Sequence, residues 1–224
     1  MDLLGFTPKY ITFDCYGTLT SFQMTSTVLP LIEDRVAPED VPTFVKDFRA
    51  YRMDEVLGPF KLYPEVLRDS WQRACNRWRS QFRQSDADTI IAAVGSWGPH
   101  PDVPEALAKL ASAYPLVILS NATDGMLENN VRQLGAPFHR VFTAEQARAY
   151  KPRYAAFEYM LGQLDVEPQE ILHVSSHIWY DLIPAHELRI KHKVYVNRGY
   201  DPSVPFYEYA ETSDLTGVPP LLGL

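Results

Sequence analysis

The chain has only two cysteines, Cys15 and Cys75, too few and too far apart for a disulfide framework or a zinc site. It has no block of basic residues. Lys and Arg number 21 against 28 for Asp and Glu, a net charge of −7, which argues against nucleic acid or an anionic membrane as partner. No apolar run approaches the roughly 20 residues that cross a bilayer, so no membrane span is expected. The first residues also lack a charged stretch leading into an apolar run and a small-residue cleavage site, which makes a reducing cytoplasm the expected location. Internal repeats and low-complexity tracts are missing too. What remains is an ordinary globular composition, 46% hydrophobic over 224 residues, enough for one sizeable domain or one domain carrying an insert.

Two kinds of text fill that length. The first is short and apolar and ends on small or polar residues. Tyr10 to Phe13 ends at Asp14, Leu116 to Leu119 at Ser120-Asn121, and Ile171 to Val174 at Ser175-Ser176. Lys193 to Val196 ends at Asn197-Arg198, and a weaker version runs through Val141-Phe142-Thr143. Between these runs lie amphipathic segments, Val103 to Ala113, Gly125 to Leu134, Arg153 to Leu164 and Leu182 to Leu188, with apolar residues three and four apart. Buried parallel strands alternating with helices predict an α/β fold with a doubly wound parallel sheet, a Rossmann-like core. Ligands of such sheets sit beyond the carboxyl ends of the strands, so the polar strand ends should converge on one crevice.

The second kind of text runs from Thr20 to Gly98. It has no buried-strand run and carries Phe44, Phe48, Tyr51, Val66, Trp71, Ala74 and Trp78 at helical spacing. It predicts about four helices inserted after the first strand, with Gly98-Pro99-His100-Pro101 as the return linker. The expected division is residues 1–19 and 99–224 as core and residues 20–98 as a helical cap over the crevice. The tail beyond Gly199 reads as loop.

The segment Ile11-Thr12-Phe13-Asp14-Cys15-Tyr16-Gly17-Thr18-Leu19 is the most informative. A carboxylate directly after a buried strand, followed by a glycine that permits a tight turn, is held at the sheet edge. Such a group can attack carbon or phosphorus and form a covalent intermediate, or it can merely cap a turn. The segment resembles the first motif, Asp-x-x-Gly-Thr-Leu/Val, of the haloacid dehalogenase-like hydrolases. Leu119-Ser120-Asn121 matches the second motif, Lys151-Pro152 the third, and Ser175-Ser176 with Asp181 stands in place of the fourth. The resemblance covers essentially the whole chain, inserted cap included.

That resemblance implies roles. Asp14 is the nucleophile, and Lys151 keeps it ionised. Asp181, with Lys151 and Ser175 or Ser176, positions the hydrolytic water, although Asp181 could also cap the helix that follows. Thr18, Ser120 and Asn121 offer short donors at strand ends, suited to a substrate carboxylate. Phosphatases of the superfamily carry a second Asp two residues after the nucleophile to protonate the leaving alkoxide; here that position is Tyr16. Loss of a general acid costs on the order of 10²–10⁴ in rate, and a phenol of pKa about 10 is a poor substitute. Halide leaves without a proton, so Tyr16 suits a dehalogenase, and the Asp-x-Tyr-Gly-Thr-Leu form is similar to type II 2-haloacid dehalogenases. Tyr16 is equally compatible with a ring packed beneath the cap.

The expected reaction is displacement of halide from a small anionic 2-haloacid through a covalent ester, without a cofactor. Ser175 and Ser176 replace the leading carboxylate that superfamily phosphatases use for Mg²⁺, which leaves Asp181 alone. The rivals are a Mg²⁺-dependent phosphatase, displacement at another activated carbon, and a catalytically retired binding protein. Members are often dimeric, so a homodimer stays open. Two points are unresolved from sequence. The dehalogenase pattern Ser-Ser-Asn-x-Trp/Phe-Asp is one residue shorter than Ser175-Ser176-His177-Ile178-Trp179-Tyr180-Asp181, so the family Asn falls on His177 or on Ile178. The family's halide-binding cap arginine corresponds to Arg49 or Arg52, and no spacing chooses between them.

Overall fold

The computed structural model describes Leu3 and residues 5–224. Six strands, β1 (Tyr10–Phe13), β2 (Leu116–Ser120), β3 (Arg140–Thr143), β4 (Ile171–Ser175), β5 (His192–Val196) and β6 (Ala210–Thr212), form one sheet in the order β3-β2-β1-β4-β5-β6. Every pairing is parallel. The runs that are apolar along their length are the central strands, buried on both faces as crossovers require. The chain leaves β1 toward β2 and β3, then returns to β1's other side as β4. The switch point therefore falls between β1 and β4, with Asp14 and Ser176 just beyond their carboxyl ends.

The insert consists of α1 (Met24–Ile32), α2 (Val41–Leu57), α3 (Tyr63–Arg77) and α4 (Gln84–Val94). Its own core closes where Phe44 and Phe48 of α2 meet Trp71 of α3 edge to face at 5.4 and 5.2 Å. Glu65 starts α3 by accepting the Leu62 N–H at 2.8 Å, one half of a capping box. The two ends of the insert are pinned side by side: Ser21 N–H donates to Gly98 O and His100 N–H donates to Leu19 O. Asn130 fastens the far side. Its amide donates to the carbonyls of Val94 and Trp97 and its oxygen accepts the Tyr16 hydroxyl.

The sheet is covered by α5 (Val103–Ala111), α6 (Asp124–Leu134), α7 (Ala144–Ala147), α8 (Tyr154–Leu164), α9 (Ile183–Glu187) and α10 (Val218–Leu221). Two details depart from the sequence reading. The tail after Gly199 contains β6, a short parallel edge strand in which only Ala210 is buried. The helix expected over Leu182 to Leu188 is present as α9, and a π-turn over Ile178–Leu182, not expected from the sequence, leads into it.

Candidate active site

The crevice is built outward from Lys151. Its side chain is 1% exposed, and each of its three ammonium protons has an acceptor at 2.8 Å: Asp14 Oδ1, Asp181 Oδ1 and the Leu119 carbonyl. Burial disfavours the charge, but Asp14 and then Asp181 outweigh it, so the Lys151 pKa lies above the ordinary lysine value. Asp181 is also buried and is held well below the usual carboxylate range. There burial acts the other way and is overcome by Lys151 and by the His173 imidazole. Asn121 fixes the backbone that delivers this lysine, accepting the Lys151 N–H at 2.7 Å and donating to its carbonyl at 2.8 Å.

The other oxygen of Asp14 accepts the Thr18 hydroxyl at 2.7 Å. Thr18 Oγ1 also accepts the Ser176 N–H at 2.9 Å and lies 3.0 Å from Ser176 Oγ, tying the ends of β1 and β4 together. Gly17 makes this turn at φ +93°, and a side chain there would meet His177 Nε2 at 2.7 Å. Arg198, beyond β5, holds the same turn by donating to the Thr18 carbonyl while forking onto Asp102.

Asp14 opens onto a cavity of about 60 Å³ whose wall includes Tyr16, Arg52, Asn121, Lys151 and His177. So small a space suits a ligand of few heavy atoms. Ser120, Ser175, Ser176, Thr18 and Asp181 are buried behind this wall. Ser175 Oγ accepts the His177 N–H, and Ser120 Oγ has no hydrogen-bond partner among the described residues. The two arginines separate clearly. Arg49 has a 48% exposed side chain and pairs with Asp201 at 2.9 Å. Arg52 lines the cavity with its guanidinium 4.9 Å from the centre of the Phe48 ring and 5.4 Å from that of Phe22.

Tyr16 packs beneath the insert, as the sequence allowed. Its ring lines the cavity and packs edge to face on Trp97, while its hydroxyl donates to Asn130 at 3.0 Å. Burial pushes the phenol pKa far up, so it stays neutral and its proton is committed elsewhere. The fourth motif runs into the π-turn. An inserted residue widens one helical turn, and both Asp181 N–H and Leu182 N–H reach the His177 carbonyl at 3.3 Å. Asp181 still meets Lys151. His177 faces the cavity, whereas Ile178 packs with Leu182 and Tyr195.

His177 stacks on Tyr200 at 5.3 Å and its Nε2 lies 3.1 Å from the Tyr16 carbonyl. Burial lowers its pKa, but the Asp201 carboxylate, 3.8 Å from Nδ1, and then Asp14 and Asp181 outweigh that, and the net shift is upward. The charged ring therefore stabilises the fold fully below its ordinary pKa of 6.5, and that contribution is lost as pH rises through the higher folded value. A cation on the cavity wall favours an anionic ligand. The KM for a small anionic ligand is accordingly expected to rise as pH increases above 6.5 and the ring loses its proton, and His177→Gln to flatten that rise. A KM independent of pH in the wild type would remove this role.

Three features were missed from sequence: Asn130, Asp201 and His173. Asn130 sits in a polar helix stretch, Asp201 in a loop, and His173 inside an apolar strand, so none carried a signal.

A family model for the haloacid dehalogenase-like hydrolases matches residues 8–188. The chain belongs to that family and is an enzyme of the hydrolase class. It is 31% identical over 156 residues to (S)-2-haloacid dehalogenase 4A of Burkholderia cepacia, a match spanning 66% of each chain. The L-2-haloacid dehalogenase of Xanthobacter autotrophicus, solved with chloropropionic acid covalently bound, superposes with a TM-score of 0.76 at 20% identity, covering 96% of this chain and 98% of that one. A magnesium-bound hydrolase of the superfamily from Bacillus subtilis superposes with a TM-score of 0.81 at 14% identity, covering 97% and 99%. Fold alone therefore does not choose the chemistry. The sequence relatives place the chain close to the type II (S)-2-haloacid dehalogenases.

Among the described residues no helix is long and apolar enough to cross a membrane, and no group of three or more His, Cys, Asp or Glu residues could hold a metal. Asp14 and Asp181 already share the Lys151 ammonium, and the Tyr16 carbonyl faces the His177 imidazole, a set that does not fit a hard dication.

Proposed function

We propose that this hydrolase displaces halide from a small 2-haloacid without a metal and releases the 2-hydroxy acid. One observation carries the reading: Asp14 opens onto a small cavity lined by Arg52 and His177, with no carboxylic acid at position 16 to protonate a leaving group. An alkoxide leaving group needs that proton, and halide does not. Thr18 and Lys151 each occupy one oxygen of Asp14, which orients the carboxylate toward the cavity. Asp14 attacks C2 from the side opposite the halogen, the C–halogen bond breaks, and an ester forms with inversion at C2. Arg52 receives the halide, while His177 and Asn121 on the cavity wall lie where a substrate carboxylate needs a cation and donors; Ser120, buried behind that wall, does not reach it. Water then cleaves the ester at the Asp14 carboxyl carbon. The Xanthobacter relative with chloropropionic acid covalently bound supports this route.

The direct test is halide release from chloroacetate and 2-chloropropionate with and without EDTA. Release that EDTA leaves unchanged is the expected result. Arg52→Gln is expected to lower kcat/KM by about 10²-fold, the cost of losing one charge-stabilising donor, and Arg49→Gln only a few-fold. Phosphate-ester hydrolysis abolished by EDTA, with no halide from either acid, would sink the proposal.

A further inference from the structure

His173 lies on β4 with no exposed surface. Strand alternation puts it on the face of Ile171, an otherwise apolar layer with Val117, Leu119 and Phe157, whose ring it meets edge to face at 5.3 Å. A polar group in such a layer is costly unless bonded, so its partners indicate what it is for. Its Nδ1 is 2.9 Å from Thr12 Oγ1 on β1, and its Nε2 is 3.1 Å from Asp181 Oδ1. A carboxylate only accepts, so Nε2 bears a proton in this contact. The Thr12 hydroxyl lies 2.9 Å from Nδ1 and 3.3 Å from the Leu172 carbonyl, so both ring nitrogens are held between polar partners and the ring's orientation toward Asp181 is fixed.

Asp181 Oδ1 thus takes two donors, the Lys151 ammonium and His173 Nε2–H, while Oδ2 is buried with no partner among the described residues. An unpaired carboxylate oxygen next to the Lys151–Asp14 pair is where a base for water is needed. We propose that His173 is a positioning residue: it turns Asp181 so that Oδ2 stays free to activate the water that hydrolyses the Asp14 ester. The inference rests on the ester route proposed above. In that step water adds to the Asp14 carboxyl carbon and passes a proton to Asp181 Oδ2. The bond between that carbon and the substrate C2 oxygen then breaks, and the departing oxygen takes the proton from Asp181. The second proton of the water leaves as Asp14 ionises, which restores both carboxylates.

The displacement half of the reaction needs no base, so loss of His173 should spare it. With 2-chloropropionate, His173→Leu is expected to lower kcat on the order of 10²-fold, the cost of a misplaced catalytic group, with KM within about twofold. Protein quenched during turnover should carry the substrate ester on Asp14, seen as a mass increase of the peptide containing it and faint in wild type. His173→Gln, whose amide can donate to Asp181, should recover about a tenth or more of the wild-type rate. If the leucine variant does not fold, the glutamine variant carries the test through its own partial ester accumulation. Turnover of the variants within about threefold of wild type, or a loss of rate without accumulated ester, overturns the proposal. Halide release by wild type keeps the two questions apart: an active wild type with an unaffected variant rejects the His173 role alone, and an inactive wild type rejects the ester reading beneath it.

Discussion

Lys151→Met is expected to abolish turnover and to destabilise the fold by about 3–5 kcal/mol, the usual cost of removing one partner from a buried ion pair. For a chain of this size that is a fall of roughly 6–20 °C in Tm. The reason is local. The ammonium is 1% exposed and is the shared counter-charge of Asp14 and Asp181, so its removal leaves two nearly buried carboxylates without it. One of them must then take up a proton, and if that is Asp14 the nucleophile is lost. The pH dependence has a defined sign. Asp181 has a folded pKa below its ordinary 3.8, so its pairing stabilises the fold above that value and fades as pH falls through the folded one. Lys151 is shifted upward, so its contribution is present below its ordinary 10.5 and is lost only at more alkaline pH. The stability gap between wild type and variant is therefore expected to be widest near neutrality and to narrow below about pH 4. Urea unfolding across that range checks it; a gap that stays constant with pH contradicts the ion-pair account.

Asp14→Asn carries the largest expected effect on rate. An amide is a far weaker nucleophile than a carboxylate, so halide release should fall by on the order of 10⁴ or more. The Thr18 and Lys151 partners remain, and an amide oxygen can accept from one of them, so the fold should persist and the loss should appear in kcat. Circular dichroism and steady-state halide release measured on one preparation separate the two effects. Comparable turnover by the variant on every acid tried would favour a retired protein or a different nucleophile.

Much of this was legible in the residues. The β1, β2 and β4 runs are mostly apolar and almost fully buried, as a sheet covered on both faces requires, and the polar residues at their ends lie along one crevice. Asp14, Lys151 and Asp181 could be named because each follows or precedes a distinctive local pattern, and the fold brings them within one hydrogen-bond shell. Other features were not legible, for physical reasons. Arg49 and Arg52 are the same residue type on one helix, and only the tertiary positions of Asp201 and Phe22 tell them apart. The extra residue of the fourth motif showed as a mismatch in length. Whether a helix absorbs such a residue as a π-turn depends on packing around Ile178 and Leu182, which sequence spacing does not encode. β6 has one buried residue in three and owes its existence to β5 beside it. His173 reads as a core residue of an apolar strand until Thr12 and Asp181 are seen on either side of it.

The account stands or falls on Asp14 as the covalent nucleophile, and one measurement addresses that most directly. In a single turnover with excess enzyme in ¹⁸O-labelled water, the first 2-hydroxy acid released should carry unlabelled oxygen taken from Asp14, and the label should be found in the Asp14 carboxylate. Label appearing directly in the hydroxy acid, with Asp14 unlabelled, would contradict it.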